Sequence, residues 1–179
     1  MLDIENCCLV VVDLQEKLAG LMHEKDMLIK NTCILIKMAK SLDIPVVFCE
    51  QVPGALGNTV EEVSKLLDGI EPIEKSFFSC CGENDFNGKL QGLGRSEILL
   101  CGIETHICVY QTSVDLLSAG LNVTVVSDAV SSRTLQNKQI GLNRIQSAGG
   151  RISSVEMLLF ELLKTAEHPK FRGLAKLIK

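Results

Sequence analysis

The chain lacks features that mark several whole classes of protein. It has no Trp and a single Tyr among its 179 residues, so a row of aromatic side chains for stacking nucleic-acid bases is not expected. No run of Lys and Arg is longer than two residues, and the formal net charge is −4. This charge argues against a nucleic-acid or anionic membrane surface as the main partner. We therefore expect a small-molecule substrate, with no nucleic acid and no membrane as partner.

Long hydrophobic segments are also missing. The apolar run that starts at Cys7 covers six residues, far fewer than a membrane span needs, and it has no basic flank and no small-residue cleavage site. The eight cysteines include no Cys-x-x-Cys pair. Without a targeting segment, they predict free thiols in a reducing compartment. We expect a cytoplasmic protein whose cysteines are mostly small buried hydrophobes.

The composition that is present is globular, and two patterns alternate along the chain. Hydrophobic residues make up 46% and charged residues 22%. No repeat, linker or low-complexity tract divides the chain, which predicts a single domain over residues 1–179. Apolar runs that are typical of buried strands alternate with helical periodicity. The predicted strands are 7–12, 46–49, 71–76, 97–102, 122–127 and 151–153, and the predicted helices are 27–42, 60–67, 105–119, 136–148, 155–163 behind a Ser154 cap, and 169–179.

Strands that alternate with helices indicate an α/β fold of three layers, in which a mostly parallel sheet carries helices on both faces. In such folds, ligands bind beyond the carboxyl ends of the strands. The residues at the predicted strand ends are Asp13, Glu50, Lys75, Ile103 and Asp128. We expect the functional site at this edge of the sheet.

Cys108 follows the fourth predicted strand and lies in the first turn of the next helix. Unpaired backbone N–H groups and the positive end of the helix would favour its thiolate there. The same N–H groups could stabilise an oxyanion. The alternative is a buried core cysteine, but the other cysteines fall in strand bodies, on a helix face or in a loop. Cys108 is therefore the candidate nucleophile.

Asp13 and Lys75 are the candidate partners of Cys108. Asp13 ends an apolar strand, where loss of solvation would raise its pKa and suit it to accept a thiol proton. The alternative is that Asp13 caps the next helix. Lys75 could hold Asp13 and Cys108 together, or it could be a solvated surface lysine. Loop position adds three possible pocket residues, Glu50, Phe78 and Thr105.

A metal ion or another cofactor is not expected. Cys101, His106 and Cys108 are separated by a strand-to-helix turn, and the sequence offers no fourth ligand near them. The segment Gly54-Ala-Leu-Gly57 lacks the glycine pattern that cradles phosphates.

At these positions the sequence resembles the isochorismatase-like cysteine hydrolases, most of all the isochorismatase domain-containing proteins. The resemblance covers nearly the whole chain. It rests on the segments 13–15, 50–53, 56–59, 75–79, 100–108, 128–133, 168–171 and 176–179. It implies a Rossmann-like fold with a six-stranded parallel sheet in the order 3-2-1-4-5-6. Members of the family commonly associate, and together with the apolar C-terminal helix at 155–163 this predicts a homo-oligomer, at least a dimer.

The same resemblance implies roles for single residues. It implies a catalytic triad of Asp13, Lys75 and Cys108. It also implies a cis peptide bond between Ile103 and Glu104, which turns the N–H groups of Glu104 and Cys108 toward an oxyanion.

Two departures from the family narrow the function. The metal-dependent nicotinamidases carry an Asp and two His before the catalytic Lys, but no histidine occurs here between His23 and His106, so nicotinamide is disfavoured. True isochorismatases cleave a vinyl ether and lack the nucleophilic Cys. The prediction is therefore a cysteine hydrolase for a small amide-, ureide- or imide-like substrate, acting through an acyl-enzyme.

Two alternatives remain open beside this prediction. The first is a non-catalytic, oligomeric interaction protein that retains the hydrolase fold, against which the intact triad argues. The second is a thiol redox protein, against which the missing Cys-x-x-Cys spacing argues.

Overall fold

The computed structural model describes residues 1–178; Lys179, the last residue of the helix predicted for 169–179, lies outside the described residues. The strands are β1 Cys7–Val12, β2 Val46–Gln51, β3 Ile73–Lys75, β4 Glu97–Ile103, β5 Asn122–Ser131 and β6 Arg151–Ser153. The helices are α1 Glu16–Ala19, α2 Lys25–Ser41, α3 Pro53–Leu56, α4 Glu61–Ser64, α5 Asn84–Leu93, α6 Tyr110–Ser118, α7 Leu135–Ser147, α8 Val155–Leu163 and α9 Phe171–Leu174. Short 3-10 turns occur at Ile4–Asn6 and Cys80–Gly82, and a π-helical turn at Thr105–Val109 leads directly into α6.

The strands form one six-stranded parallel sheet in the order β3-β2-β1-β4-β5-β6. This order confirms the predicted fold. Strands β1 and β4 are central and buried on both faces, which explains why both are continuous apolar runs in the sequence. Val12 pairs with Cys49 on one side and with Gly102 on the other. The carboxyl ends of β1, β2 and β4 therefore meet at one edge.

Alternate residues of the strands pack into two separate hydrophobic cores. Leu9 and Val11 of β1 face the core that α2 and α8 cover, whereas Val10 and Val12 face the core covered by α5, α6 and α7. This alternation produces the three layers of the predicted fold. No helix within residues 1–178 is long and apolar enough to span a lipid bilayer.

Helix α5 is the largest element that the sequence pattern did not predict. It buries Phe86 and Leu90, which are one helical turn apart. Gly88 lies between these positions and Gly92 follows them, and both glycines weaken the helical pattern. The helix provides the crossover from β3 to β4 that a parallel sheet requires.

Several predicted boundaries are wrong. Strand β5 continues to Ser131, so Asp128 lies inside the strand and not at the carboxyl edge. Its Oδ1 instead accepts a hydrogen bond of 2.9 Å from the backbone N–H of Val155, the first residue of α8. The helices predicted at 60–67 and 169–179 are reduced to single turns, α4 and α9, and the strand predicted at 71–76 keeps only three residues.

Gly102 allows β1 and β4 to approach each other closely next to the predicted site. Its φ is +116°, a conformation that L side chains rarely adopt. A Cβ atom built at this position would lie 2.1 Å from the carbonyl oxygen of Val12. Only glycine fits here, directly before the turn at Ile103 and Glu104.

Candidate active site

Asp13 leaves the end of β1 in a left-handed conformation, with φ at +51°. Such a conformation is uncommon except for Gly, Asn and Asp. Its backbone N–H donates to the carbonyl of Cys49 at 3.1 Å, which continues the pairing with β2 by one residue. The side chain is buried. The N-cap residue of α1 is Gln15, so the alternative of Asp13 as the cap of that helix is wrong.

Lys75 ends β3 with a side chain that is completely buried. Its Nζ lies 2.7 Å from Oδ2 of Asp13. It donates hydrogen bonds to Oε1 of Gln51 at 2.6 Å and to the carbonyls of Phe77 and Phe78 at 3.2 Å each. The alternative of a solvated surface lysine is therefore wrong. With Asp13, Lys75 forms a buried ion pair.

Cys108 lies in the π-helical turn, with its thiol against the Asp13 carboxylate. Burial, together with the negative charge of Asp13, raises the pKa of this thiol to about 12. These two effects outweigh the partial charge of the turn, which by itself would favour the thiolate. Burial also raises the pKa of Cys8, Cys81 and Cys101 to about 12. Contact with Asp13, and not unusual acidity, distinguishes Cys108.

Burial and the charge of the neighbouring group act in opposite directions on the pKa of Asp13 and on the pKa of Lys75. Burial raises the pKa of Asp13 above its usual range, and the charge of Lys75 counteracts part of this rise. Burial lowers the pKa of Lys75, but the charge of Asp13 acts together with Cys108 and Cys80 in the opposite direction, and the net shift is upward. Within residues 1–178, neither Asp13 oxygen accepts a hydrogen bond of good geometry. The carboxylate therefore has lone pairs available for a proton.

The peptide bond between Ile103 and Glu104 is cis, as the resemblance implies. The Glu104 carbonyl accepts hydrogen bonds from the N–H groups of Ile107 at 3.0 Å and Val109 at 3.2 Å, which closes the turn that carries Cys108. The Glu104 carboxylate accepts from the backbone N–H of Arg133 at 3.0 Å and from its Nε at 3.3 Å. Both ends of Glu104 are thus fixed beside Cys108.

The three residues predicted from loop position to line a pocket lie in different surroundings. Glu50 Oε1 accepts from the backbone N–H of Thr59 at 2.6 Å and from its hydroxyl at 2.7 Å, at the wall of a cleft of about 580 Å³. Phe78 is exposed and lines a separate cleft of about 440 Å³. Thr105 is fully buried, so it does not line an open pocket in this structure. The three residues do not form one common pocket.

The described residues offer no convergent set of metal ligands. No three His, Cys, Asp or Glu side chains within residues 1–178 are arranged to hold a metal ion. Cys101 lies in the core opposite to that of Cys108, and its thiol donates to the carbonyl of Val10. His106 Nδ1 lies 3.0 Å from the Ser132 hydroxyl. The considered cluster of Cys101, His106 and Cys108 therefore does not assemble.

Gln15 and Gln51 are not among the predicted site residues, yet Gln51 contacts Lys75 and Gln15 holds the backbone of Gln51. Gln51 is the last residue of β2, directly after Glu50, and it is buried. The signal in the sequence was an amide side chain at the end of a buried strand. A buried polar side chain requires hydrogen-bond partners, so such an amide indicates a polar neighbour.

The fold and these side chains define a class: a parallel α/β protein with a buried Asp–Lys pair and a cysteine at the carboxyl edge of its sheet. Comparison with known proteins gives the family. The isochorismatase domain matches residues 7–157, and the chain belongs to the isochorismatase family.

Individual relatives extend this likeness over almost the whole chain. The secreted isochorismatase effector Isc1 of Phytophthora sojae is 42% identical, over 96% of this chain and 83% of its own. Isochorismatase domain-containing protein 2A of Mus musculus is 36% identical, over 98% of this chain and 84% of its own. These relatives confirm the predicted resemblance.

Solved structures give the same result for the fold. The MAR1 ribonuclease of Caenorhabditis elegans superimposes with a TM-score of 0.93 at 36% identity, over 99% of this chain and 91% of that one. The YcaC gene product of Escherichia coli, described as an octameric hydrolase of unknown specificity, superimposes with a TM-score of 0.93 at 22% identity, over 99% and 88% of the two chains.

Proposed function

We propose that this protein is a cysteine hydrolase in which Asp13, Lys75 and Cys108 are the catalytic residues. One observation carries the proposal: a buried carboxylate that is paired with a buried ammonium 2.7 Å away lies close enough to the Cys108 thiol to raise its pKa. A charged pair of this kind is costly to bury. Its position beside a thiol at the carboxyl edge of the sheet supports a functional role.

The first step is proton transfer from Cys108 to Asp13. The pKa of about 12 keeps Cys108 protonated at neutral pH, so the nucleophile must be formed when substrate is bound. Burial raises the pKa of Asp13, which improves its match as the general base. Lys75 keeps a positive charge close to both groups and thereby stabilises the thiolate as it forms.

The second step is attack of the Cys108 sulfur on a substrate carbonyl carbon. The carbonyl π electrons move to oxygen, and the N–H groups of Glu104 and Cys108 are proposed to hold the oxyanion. As the tetrahedral intermediate collapses, the C–N bond breaks and Asp13 returns its proton to the leaving nitrogen. Water, deprotonated by Asp13, then attacks the thioester, and the thiol and a carboxylic acid are released.

The proposed substrates are small amides, ureides or imides. Two of the similar proteins are named for other activities: Isc1 is called an isochorismatase effector, and MAR1 is called a ribonuclease. The net charge of −4 does not favour an RNA substrate. A panel should therefore contain amides, ureides, imides, nicotinamide, isochorismate and a short RNA, each assayed with wild type and with Cys108→Ala. Hydrolysis of a C–N substrate that Cys108→Ala abolishes is the expected result, whereas RNA or isochorismate turnover that persists in Cys108→Ala would contradict the mechanism.

A non-catalytic interaction protein is the alternative function. It is favoured by the low exposure of the proposed nucleophile, which is 8% for Cys108. The two functions differ in what an electrophile does. Stoichiometric labelling of Cys108 that depends on Asp13 is expected for the enzyme, and absence of labelling under native conditions supports the alternative.

We also propose a homo-oligomer in the cytoplasm. Met157 and Phe160 are exposed on α8, and a second copy of the chain would cover them. The octameric state of YcaC supports such an assembly. All eight cysteines are free, which suits a reducing compartment. Because Isc1 is described as secreted, fractionation of cells that produce this protein is the direct test of location.

A further inference from the structure

Gln51 contacts the proposed catalytic lysine through the tip of its side chain. Its Oε1 accepts a hydrogen bond of 2.6 Å from Lys75 Nζ. Its Nε2 donates to the carbonyl of Ser76 at 2.9 Å. These two partners fix the orientation of the amide, since an ammonium group only donates and a carbonyl only accepts.

The backbone of Gln51 is held just as firmly as its side chain. Gln15 Oε1 accepts from the N–H of Gln51 at 2.7 Å, and Gln15 Nε2 donates to the carbonyl of Gln51 at 3.0 Å. The next residue, Val52, adopts φ +38° and donates its N–H to the carbonyl of Lys75 at 2.9 Å. A left-handed conformation is a true outlier for a β-branched residue. It persists because these neighbouring bonds over-determine it.

The chemical type of residue 51 matters for the charge of the site. Lys75 has three N–H groups, and its nearby acceptors are Gln51, two backbone carbonyls and Asp13. Of these acceptors, Asp13 alone carries a charge. A neutral amide at position 51 therefore orients the ammonium without competing for its charge.

The other titratable groups that interact with Asp13 and Lys75 lie on β2 and on two short helical turns. They are Glu50 and Cys49 of β2, Cys80 of the 3-10 turn, and Cys108 of the π-helical turn. The charge of Glu50 raises the pKa of Asp13, and that of Lys75 lowers it. A hydrogen bond with Cys80, together with burial, raises the pKa of Cys49, which leaves it neutral. Lys75 is thus the one positive charge among these groups, and its placement decides the charge of Asp13.

We propose that Gln51 is a positioning residue that acts through Lys75. Its neutral Oε1 fixes the ammonium against Asp13, and this sets the pH range in which Asp13 can accept the proton of Cys108. The inference rests on the proposed function, because it assigns a role to a residue that itself touches no substrate.

Alkylation of Cys108 by iodoacetamide tests this role without a known substrate. Its rate is followed by quantitative mass spectrometry of the peptide that contains Cys108, as a function of pH. In wild type the rate should rise as Asp13 loses its proton. Gln51→Met keeps the length of the side chain but lacks the acceptor, and Gln51→Glu keeps the acceptor but adds a charge. Gln91→Met, on the exposed face of α5, is the control.

Both variants of Gln51 should move the acid limb of the alkylation profile to higher pH by about one unit. In Gln51→Met, Lys75 is no longer held against Asp13, and in Gln51→Glu it is paired with a second carboxylate, so in both variants the pKa of Asp13 rises. The rate on that limb should fall about tenfold, while Gln91→Met leaves the profile unchanged. A purely structural role would lower stability without moving the midpoint, and unmoved midpoints in both variants overturn the inference. If Gln51→Met does not fold, Gln51→Glu, which preserves size and acceptor, gives the measurement alone.

The experiment separates this inference from the proposed function. If the acid limb of the alkylation profile persists in Asp13→Asn, the result contradicts the proposed function and, with it, the role of Gln51. If the acid limb disappears in Asp13→Asn but does not shift in the Gln51 variants, the result contradicts only the role of Gln51.

Discussion

Replacing Lys75 with Met tests the buried ion pair directly, because the two side chains have similar volume and differ in charge. The Lys75 side chain is completely buried, and its Nζ lies 2.7 Å from Asp13. Removing one partner of a buried pair leaves an uncompensated charge, which costs about 3–5 kcal/mol of unfolding free energy. We expect Lys75→Met to lose this amount at pH 8.

The loss of unfolding free energy in Lys75→Met should increase with pH, because it depends on whether Asp13 is charged. Burial already raises the pKa of Asp13, and the charge of Lys75 lowers it, so the variant has an even higher pKa in the folded state. Between the unfolded value of about 3.9 and this folded value, the folded protein binds a proton that the unfolded chain does not. Its unfolding free energy therefore falls as pH rises, by up to about 1.4 kcal/mol per unit. The loss should be small near pH 4 and complete above the folded pKa.

Urea unfolding followed by far-ultraviolet circular dichroism is the suitable assay, because the chain has no Trp and one Tyr. Protein concentration should be held constant, since an oligomer unfolds in a concentration-dependent way. Lys65→Met is the matched control: it breaks an exposed pair with Glu61 and should have little effect at any pH. The double variant Asp13→Asn/Lys75→Met should regain most of the stability. A Lys75→Met loss no larger than that of Lys65→Met would refute the reasoning.

Four further predictions follow from the same structure. Cys108→Ser should lower hydrolysis of the best substrate at least about a thousandfold with an unchanged circular dichroism spectrum, whereas Cys81→Ser should remain active; near-normal turnover by Cys108→Ser would contradict the mechanism. Activity should survive dialysis against a strong chelator, and loss that zinc restores would overturn this expectation. Sedimentation at micromolar concentration should show at least a dimer, which Phe160→Asp weakens; a wild-type monomer would be the contrary result. Gly102→Ala should lose more than about 2 kcal/mol of unfolding free energy, because its Cβ would meet the carbonyl of Val12.

The central part of the fold could be predicted from the sequence because its strands are buried on both faces. Strands β1 and β4 are uninterrupted apolar runs, and their ends place Asp13 and Cys108 at one edge. Helix α5 could not be read in the same way, because its two glycines interrupt the helical pattern. Short elements such as β3 bury too few residues to produce a recognisable period.

The site could be predicted only in part. Residue types and strand ends pointed to Asp13 and Cys108, but burial of Lys75 depends on contacts with residues far along the chain, such as Gln51. The pKa of Cys108 depends on the tertiary fold in the same way. Local backbone geometry favours a thiolate, but burial and the charge of Asp13, which arise only in the folded chain, raise the pKa of the thiol.

The central position of β1 has a consequence for synthesis on the ribosome. Val12 pairs with Gly102, and at about 5–20 residues per second the chain needs roughly 5–20 s to extend from the first residue to the second. During that interval an apolar strand has one free backbone edge, which another chain could pair with. Proteins with such long-range strand pairing fold slowly. We therefore expect the nascent chain to depend on chaperones that cover β1 until β4 has emerged.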